Sequence, residues 1–203
     1  MATKSADAEV RVNAYRVRVL NCLSPILADL EGVEHALDFG SGDGWFASQI
    51  SRMSEVGQLT AIDVRRRPDV HFEPMIYEPG APLPFKNESF DLAYSIDVLH
   101  HCADPLFQLN ELCRVSRKYI LIKDHTYRTF WGRWALAVLD EVGNRRFGIP
   151  SPYNYQIGDS WTEHMNKRGW SVKLSIPDVQ CHVGLLGIMT NSLQCLHLYE
   201  RAY

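Results

Sequence analysis

Short apolar segments alternate with amphipathic segments over most of this chain. Residues 45–53 and the stretch after Asp104-Pro105 carry apolar side chains at three- and four-residue steps, which predicts helices. The apolar runs between them predict buried strands at residues 35–39, 59–64, 89–95 and 119–122, with a further strand near residues 71–77. This alternation predicts an α/β fold with a mostly parallel sheet and helices on its faces.

The last third of the chain has a different pattern. Residues 126–142 predict a long helix with tryptophans on one stripe. Ser160-Trp161-Thr162-Glu163 has the pattern of a capping box that opens a short helix, and Gly169 is expected to end that helix. Two closing strands are predicted at residues 170–174 and 195–200.

The first thirty residues are helical in pattern. Periodicity runs through residues 7–30, and Ser24-Pro25 within it predicts either two helices or one kinked helix. We predict a single domain, 1–203, because the chain has an ordinary length for one domain and no internal repeat. Its parts are N-terminal helices (1–31), a strand-and-helix half (33–125), a helical and aromatic segment (126–169) and closing strands (170–203).

Composition and charge narrow the class of protein. The chain is 46% apolar and 22% charged, which excludes a disordered chain. Its 21 Lys and Arg residues against 24 Asp and Glu residues argue against a dedicated nucleic-acid or anionic-membrane binder. Five cysteines without a CxxC pair indicate reduced thiols and a cytoplasmic location. No apolar stretch reaches the ~18 residues of a membrane span, and membrane contact is not expected.

The segment from Asp38 to Gly44 carries the first chemical signal. It joins a predicted strand to a predicted helix, and its alternating glycines allow a tight turn where a ligand can approach the backbone. The spacing is GxGxG, with the last glycine one residue early for the GxGxxG pattern of dinucleotide sites. Asp38 would also lie badly against a pyrophosphate. Both details disfavour a dinucleotide.

A second acid, Asp63, ends the next predicted strand, 19 residues after Gly44. A carboxylate at the tip of this strand in a cofactor-binding sheet can accept both hydroxyls of a ribose. The alternative is a solvated turn residue in front of the arginines at 65–67. The glycine turn upstream favours the ligand-binding interpretation.

Four ordered motifs within about residues 33–125 resemble those of the class I S-adenosylmethionine-dependent methyltransferases. The motifs are LDFGSGDGW, AIDV, LPFKNESFDLAYSIDVLHHCADP and LNELCRVSRKYILIKDH. The likeness is greatest to the compact group that includes quinone-biosynthesis C-methyltransferases and many small-molecule methyltransferases. It implies a Rossmann-like three-layer sandwich with an antiparallel C-terminal strand, an N-terminal helix and a helical insertion after the fifth strand. It also implies S-adenosylmethionine as the cofactor, bound by the half at 33–125.

The same resemblance implies roles for individual residues. Asp63 matches the acid that binds the ribose, and Val64 beside it would line the adenine. Glu78 is the nearest candidate to bind the adenine amino group. Ser95 lies where the family closes over the methionine moiety, and one of His100 and His101 is expected to brace the cofactor loop. The motif around the methionine moiety is matched by Asp38, Gly40, Ser41 and Gly42.

Asp124 and His125 follow the fifth predicted strand, at the carboxyl edge where ligands of such sheets bind. His125 could deprotonate a hydroxyl or amine acceptor, because imidazole titrates near neutrality. Alternatively, Asp124 caps the next helix and His125 packs against it. No metal is expected, because no ligand spacing supports a site built from His100, His101, Cys102 and His125.

The aromatic segment after this strand has two open interpretations. Its side chains could bind a flat or partly apolar acceptor such as a quinone or phenol, or they could form core. Docking of residues 127–134 on a membrane is physically sensible, but a buried lid helix is favoured. Tyr15 and Arg16 could likewise close over the cofactor, or be core and surface respectively. The candidate acceptor residues are Tyr127, Trp131, Tyr153 and Tyr155.

The predicted function is methyl transfer from S-adenosylmethionine to a small-molecule acceptor. Oxygen is favoured over carbon or nitrogen as the attacked atom, because Asp124 and His125 offer a base. A nicotinamide-dependent oxidoreductase is the rival enzyme class, and the glycine spacing and Asp38 count against it. A catalytically silent methyltransferase-like partner subunit is the third alternative. The sequence leaves the acceptor and the oligomeric state open.

Overall fold

The computed structural model describes residues 13–144 and 152–202. Within these ranges the strands are β1 Val33–Phe39, β2 Val56–Asp63, β3 Met75–Ile76, β4 Phe90–Ile96, β5 Ser116–Tyr127, β6 Gln156–Ile157, β7 Trp170–Pro177 and β8 Gln194–Arg201. The α-helices are α1 Ala14–Ala28, α2 Trp45–Ile50, α3 Pro105–Val115, α4 Phe130–Asn144, α5 Ser160–Asn166 and α6 Gly184–Thr190. Short 3₁₀ helices cover Leu99–His101 and Asn191–Leu193.

The strands form a mostly parallel sheet. Their order is β3-β2-β1-β4-β5-β8-β7, and β6 pairs with the end of β5. The pairs β1–β2, β1–β4, β2–β3 and β4–β5 are parallel, whereas β8 runs antiparallel to both β5 and β7. The predicted Rossmann-like sheet with an antiparallel C-terminal strand is therefore confirmed.

Alternate side chains of the central strands enter two separate hydrophobic cores. Ala36 of β1 and Leu121 of β5 belong to the core that contains α1 and α2. Leu37 and Ile120, their immediate neighbours along the chain, belong to the core that contains α3 and α5. Because successive side chains of a strand point to opposite faces, this division gives a three-layer sandwich.

Three parallel strands, β1, β2 and β4, end at the same edge of the sheet, and β5 crosses this edge beside them and continues to Tyr127. Phe39 of β1 is paired with Ile62 of β2 and with Ser95 of β4, and Ser95 is paired with Ile122 of β5. The residues that directly follow this row are therefore neighbours in space. They include the glycine turn, Asp63 and Asp124.

The N-terminal helix is continuous through its proline. α1 runs from Ala14 to Ala28 with Pro25 inside it, and the Ser24 hydroxyl donates to the Leu20 carbonyl at 2.8 Å. A new helix capped by Ser24 is therefore wrong. The residues after the proline, Ile26 and Leu27, are buried against the sheet, and this packing outweighs the backbone bond that proline removes. Residues 7–12 of the predicted helix lie outside the described residues.

The C-terminal third differs from its prediction at element boundaries. β5 continues to Tyr127, so the long helix begins at Phe130 rather than at residue 126. α5 begins at Ser160, but Asp159 occupies the N-cap position and makes no side-chain capping bond, so the predicted capping box is wrong. The sequence pattern did not predict β6 or α6. Both are short, with two and seven residues, and give little periodic signal.

Asp91 connects three strands at the amino edge of the sheet. Its buried carboxylate accepts the backbone N–H groups of Glu34 (2.9 Å) and His35 (3.0 Å) and the Arg117 Nε–H (2.6 Å). Burial alone would raise the pKa of Asp91, but the hydrogen bonds from Arg117 and the two backbone groups outweigh it and lower the pKa to about 2.

We expect Asp91→Asn to destabilise the protein by about 2 kcal/mol at neutral pH, the free energy that corresponds to this pKa difference. A carboxylate with a lowered native pKa stabilises the fold above its unfolded pKa of 3.8, and this contribution is lost as the pH falls towards about 2. Denaturant unfolding of both proteins from neutral to acidic pH measures the difference, which should close on acidification. The exposed Asp29→Asn is the control. A difference that stayed constant with pH would contradict the assignment.

Candidate functional site

The three glycines of the turn after β1 have positive φ angles for different structural reasons. A Cβ on Gly40 (φ 78°) would lie 2.3 Å from Val98 Cγ1, and one on Gly44 (φ 74°) would lie 2.3 Å from the Phe72 carbonyl oxygen. A Cβ on Gly42 (φ 62°) would meet no atom within 4 Å. Gly40 and Gly44 are therefore required by packing within the protein, whereas Gly42 borders open space that a ligand can enter.

The carboxylate of Asp63 holds this turn in place. Its Oδ2 accepts the Gly42 N–H at 2.8 Å, and its Oδ1 accepts the Arg65 N–H at 3.0 Å. The turn is also fixed to β2 by bonds from the Gly40 and Ser41 N–H groups to the Ile62 carbonyl, at 2.9 and 3.1 Å. Each carboxylate oxygen keeps a lone pair for a further donor such as a ribose hydroxyl. The glycine turn and Asp63 are thus adjacent, as the sequence predicts.

Three buried polar atoms beside the turn lack a hydrogen-bond partner among the described residues. They are Asp38 Oδ2, Ser41 Oγ and Ser95 Oγ. Leaving such atoms unpaired costs about 1–3 kcal/mol each, so a ligand that pairs them gains binding energy. Burial raises the pKa of Asp38 to about 8, the neighbouring Tyr94 hydroxyl acts against this, and Asp63 adds to it. A cationic group at this position would favour the ionised carboxylate. The set therefore fits the methionine part of S-adenosylmethionine, which carries an ammonium group and a sulfonium.

The two residues predicted to lie at the adenine, Val64 and Glu78, are exposed to solvent. Val64 is exposed beside Asp63, and Glu78 is exposed one residue after Tyr77, whose N–H donates to the Asp63 carbonyl at 3.1 Å. His100 lies in the short helix Leu99–His101, just after the end of β4. Its Nδ1 bonds to Asp124, and Val98 is the residue that packs on Gly40.

The first turn of α1 is attached to two loops at this edge. Tyr15 donates its hydroxyl to Asp97 at 2.6 Å, and Arg16 forms an ion pair with Asp43 of the glycine turn at 2.7 Å. Tyr15 also contacts the His182 ring, with centroids 4.9 Å apart. The two side chains therefore connect α1 to the turn after β1 and to the end of β4. This arrangement agrees with the closing role considered from the sequence more than with a surface role for Arg16.

A buried charge pair at the ends of β4 and β5 was not predicted from the sequence. The Lys123 ammonium is inaccessible to solvent and donates to Asp97, Tyr15 and Gln194. Burial would lower the pKa of Lys123, but Asp97 outweighs this and the pKa lies well above its usual value. Asp97 itself has a positive φ of 56°, which is strained for a residue with a Cβ. The sequence signal for this network is a lysine inside an otherwise apolar central strand.

Asp124 does not cap a helix, because β5 continues beyond it. Its carboxylate accepts His100 Nδ1–H, the Leu99 N–H at 3.0 Å and the His125 N–H at 2.7 Å. Burial alone would raise the pKa of Asp124, but His100 and these bonds hold it well below the usual value. Asp124 is therefore an ionised residue that orients the His100 ring, and the capping alternative is wrong.

The His125 ring lies beside this bonded pair. Its Nδ1 is 3.4 Å from His100 Nδ1, 3.5 Å from Asp124 Oδ1 and 3.9 Å from Asp97 Oδ1. Its side chain is 20% exposed, against 1% for His100. Burial lowers the pKa of His125, although its interaction with Asp124 acts in the opposite direction. His125 is therefore neutral near pH 7 and is the more accessible of the two rings.

His100, Asp124 and His125 could also hold a metal ion, because their donor atoms all lie within 4.8 Å of one another. Two ligands about 2.0–2.2 Å from one ion stand roughly 3 Å or more apart. His100 and Asp124 are closer than this and share a proton in a hydrogen bond. A metal ion could bind here only if that hydrogen bond were broken. The three residues therefore fit proton transfer better than metal binding.

The predicted acceptor residues do not form one group. Tyr155 is buried with its ring 5.5 Å from that of His100, and Tyr153 contacts Tyr155 at 6.4 Å between centroids. Tyr127 packs on the small core that contains Tyr155. Trp131, by contrast, is 74% exposed on α4. The structure therefore brings the three tyrosines near the histidines and leaves the tryptophan on the surface.

Comparison with known proteins explains why these parts occur together. Residues 37–119 match the family described as a methyltransferase domain. The match covers less than half of the chain and identifies this part of it as similar to a methyltransferase domain. The matched residues include the glycine turn, Asp63 and the ends of β1, β2 and β4.

A curated relative shares a segment with this chain. It is the malonyl-[acyl-carrier protein] O-methyltransferase of Erwinia billingiae (strain Eb661), 33% identical over 89 residues. The alignment covers 41% of this chain and 35% of that protein. The chain thus matches about a third of its relative's length.

Solved structures share the fold at low sequence identity. An S-adenosylmethionine-dependent methyltransferase of Mesorhizobium loti has a TM-score of 0.65 at 13% identity, with 93% of this chain and 100% of that chain covered. A chain from the Haloferax volcanii complex of the Trm112 methyltransferase activator with a methyltransferase has a TM-score of 0.64 at 15% identity, with 93% and 92% covered. At such identities the likeness shows the fold alone.

The sequence prediction of a class I S-adenosylmethionine-dependent methyltransferase is confirmed at the level of family and fold, and S-adenosylmethionine is the cofactor that this family implies. The comparisons do not support the nicotinamide-dependent alternative.

We expect Gly42→Ala to weaken S-adenosylhomocysteine binding by about tenfold or more, because the new methyl group enters the open space. The protein should stay folded with a loss of stability of only about 1–2 kcal/mol, because alanine is strained at this positive φ but meets no neighbouring atom. Gly40→Ala should instead lower the melting temperature, because its Cβ overlaps Val98. Calorimetric titration and thermal unfolding of both variants check this contrast. Equal loss of stability in the two, with affinity unchanged in Gly42→Ala, would contradict it.

Proposed function

We propose that this protein transfers a methyl group from S-adenosylmethionine to an oxygen atom of a small-molecule acceptor. The observation that carries the proposal is the juxtaposition of an open glycine turn, the Asp63 carboxylate and three unpaired buried polar atoms at one edge of the sheet. Such an edge is where parallel α/β sheets bind their ligands. When bound there, the cofactor supplies an electrophilic methyl group on a positively charged sulfur.

The residues around the turn would hold the two ends of the cofactor. Asp63 would accept the ribose hydroxyls with the lone pairs that Gly42 and Arg65 leave free, and Val64 and Glu78 lie beside it for the adenine. At the other end, Asp38 would face the ammonium group of the methionine moiety. Ser41 and Ser95 would pair with its remaining polar atoms. Binding of the cofactor at both ends would hold its methyl group in line with the attacking atom. Such positioning supplies most of the catalysis that methyl transfer needs.

His125 and Asp124 would handle the acceptor. His125 Nδ1 lies near the Asp97 and Asp124 carboxylates, which would stabilise the imidazolium that forms when the ring takes a proton. Asp124 acts indirectly, since its oxygens already accept three N–H groups. A base of this kind favours an acceptor with a hydroxyl group. The Erwinia relative is likewise named as an enzyme that methylates an oxygen atom. Tyr155 lies beside the His100 and His125 rings and Tyr153 contacts Tyr155, so an aromatic or quinone-like acceptor near the histidines would meet aromatic side chains.

The Haloferax complex favours a second candidate, a methyltransferase that acts together with another protein chain. The likeness to that chain shows the fold alone, so evidence for this candidate comes from measurements of methylation and of partner binding. Cofactor binding without methylation of phenols, hydroquinones or carboxylic acids, together with copurification of a second chain, would support it.

Asp63→Asn should weaken S-adenosylhomocysteine binding by about 10- to 100-fold, because charge-assisted hydrogen bonds to the ribose are worth roughly 1–3 kcal/mol. The exposed Asp69→Asn on the same loop is the matched control and should bind normally. Calorimetry provides the measurement. Unchanged affinity in Asp63→Asn would exclude its role in holding the ribose.

His125→Gln should slow methyl transfer by about 100-fold or more, the usual contribution of a general base, while S-adenosylhomocysteine affinity stays the same. Because burial lowers its pKa, the wild-type rate should fall only below the ordinary histidine value of 6.5, and the variant should lose this dependence. The rate of S-adenosylhomocysteine formation against pH, with a panel of phenols and hydroquinones, checks both. The exposed His35→Gln is the control. An identical pH profile in His125→Gln would assign this histidine to packing.

A further inference from the structure

Helix α4 does not form the buried lid that the sequence favoured. Phe130 and Trp131 are 72% and 74% exposed on this helix, so that prediction is wrong for these side chains. No helix in the described part of the chain is long and apolar enough to cross a membrane. The carboxylates within 4 Å of the His125 ring come instead from β5 and from the residue that follows β4.

Two carboxylates therefore lie close to the ring that the proposed function uses as a base. Asp124 Oδ1 is 3.5 Å and Asp97 Oδ1 is 3.9 Å from His125 Nδ1. A carboxylate at this distance favours the imidazolium form of a histidine, and an imidazolium cannot take a proton from an acceptor. Whether His125 is available as a base thus depends on what else these two carboxylates bind. Asp124 is already occupied by the His100 ring and by two backbone N–H groups.

The Asp97 carboxylate is occupied by Lys123 and Tyr15. Its Oδ1 accepts the Lys123 ammonium at 2.5 Å, and its Oδ2 accepts the Tyr15 hydroxyl at 2.6 Å. Lys123 also donates to the Tyr15 hydroxyl oxygen and to Gln194 Oε1, so each of its three N–H groups has an acceptor. The lysine side chain is inaccessible to solvent, so water does not screen this ion pair.

The backbone of Asp97 is also held by Lys123. The Asp97 N–H donates to the Lys123 carbonyl at 2.8 Å, and the φ of Asp97 is 56°, which is uncommon for a residue with a Cβ. Such a conformation persists only where the surrounding structure fixes it, and it occurs preferentially at functional sites. Lys123 thus fixes both the main chain and the carboxylate of the residue that lies beside His125.

We propose that Lys123 and Tyr15 are positioning residues that keep the Asp97 carboxylate out of hydrogen-bond contact with His125, so that the ring is neutral when an acceptor arrives. This inference rests on the proposed function, because it explains how the base of that reaction stays available. At 3.9 Å, the Asp97 carboxylate attracts a charged ring but does not bind its proton in a hydrogen bond. Burial lowers the pKa of His125, Lys123 lowers it further, and Asp97 acts in the opposite direction.

Several other titratable groups surround the ring. Those among the described residues that interact with His125 come from the ends of β4 and β5, from the short helix after β4, and from the segments before β6 and α6: Asp97, His100, Lys123, Asp124, Tyr155 and His182. An experiment that changes Lys123 and Asp97 alone leaves the other groups in place, so it isolates the contribution of this ion pair.

An NMR titration of the His125 ring tests the proposal in the protein without cofactor or acceptor, so its result does not depend on methyl transfer. The His125 signal is the one that His125→Gln lacks. Lys123→Met should raise the midpoint of this titration by about one pH unit or more, because the freed Asp97 carboxylate can then bind the ring. Adding Asp97→Asn to Lys123→Met should return the midpoint to the wild-type value or below, because the carboxylate charge is then removed as well.

Lys118→Met is the matched control, since Lys118 lies on the same strand but donates to the Gly32 carbonyl. It should leave the His125 midpoint unchanged. If Lys123→Met does not fold, Tyr15→Phe removes a donor from Asp97 without leaving a buried charge unpaired, and it should raise the midpoint by a smaller amount. An unchanged midpoint in the folded variant would overturn the proposal. A raised midpoint that persists after Asp97→Asn is added would also overturn it, because the effect would then not pass through Asp97.

The pH dependence of methyl transfer separates this inference from the proposed function. If both are correct, the acidic limb of the rate profile in Lys123→Met moves to higher pH by the same amount as the NMR midpoint. A midpoint that moves while the rate profile stays unchanged would support the positioning role of Lys123 and contradict the role of His125 as the base.

Discussion

The candidate site depends on the register of four parallel strands. Ile62, Phe39, Ser95 and Ile122 lie in one row across β2, β1, β4 and β5, so the ends of β2, β1 and β4 and the middle of β5 are neighbours at one edge. A shift of one residue in any strand would turn its side chains to the opposite face and separate the turn from its partners. Every polar group assigned to cofactor or acceptor therefore derives its position from this row.

The edge has two electrostatic regions with different chemistry. Around the glycine turn, Asp38 is buried with a raised pKa, and three polar atoms lack a partner among the described residues, which suits a ligand that brings its own positive charge. Around the ends of β4 and β5, the carboxylates are already paired, Asp97 with Lys123 and Asp124 with His100. The first region can bind a ligand with a positive charge. The second region orients the histidine rings and can accept a proton. Methyl transfer to oxygen needs both.

The sequence predicts those parts of the site that are built from residues close together along the chain. The strand, glycine turn and helix from Asp38 onwards, and the acid at Asp63, are recognisable for this reason. Predictions failed where packing decides. The sequence left open one or two helices around Pro25, and burial of the following residues decides for one, whereas Ser160 does not cap α5, where Asp159 occupies the N-cap. Trp131 was assigned to the acceptor, but periodicity does not reveal which of the two apolar stripes of α4 faces the protein.

By itself, the sequence determined the class of fold, the family and the positions of the cofactor motifs, because each of these depends on residues a few positions apart. Tertiary structure decided which side chains meet. Only the folded chain shows that Val98, and not a ligand, requires Gly40, that Asp124 orients His100, and that Lys123 is buried against Asp97 and Tyr15. These contacts join residues from 24 to 108 positions apart, and no local pattern encodes a distance of that kind.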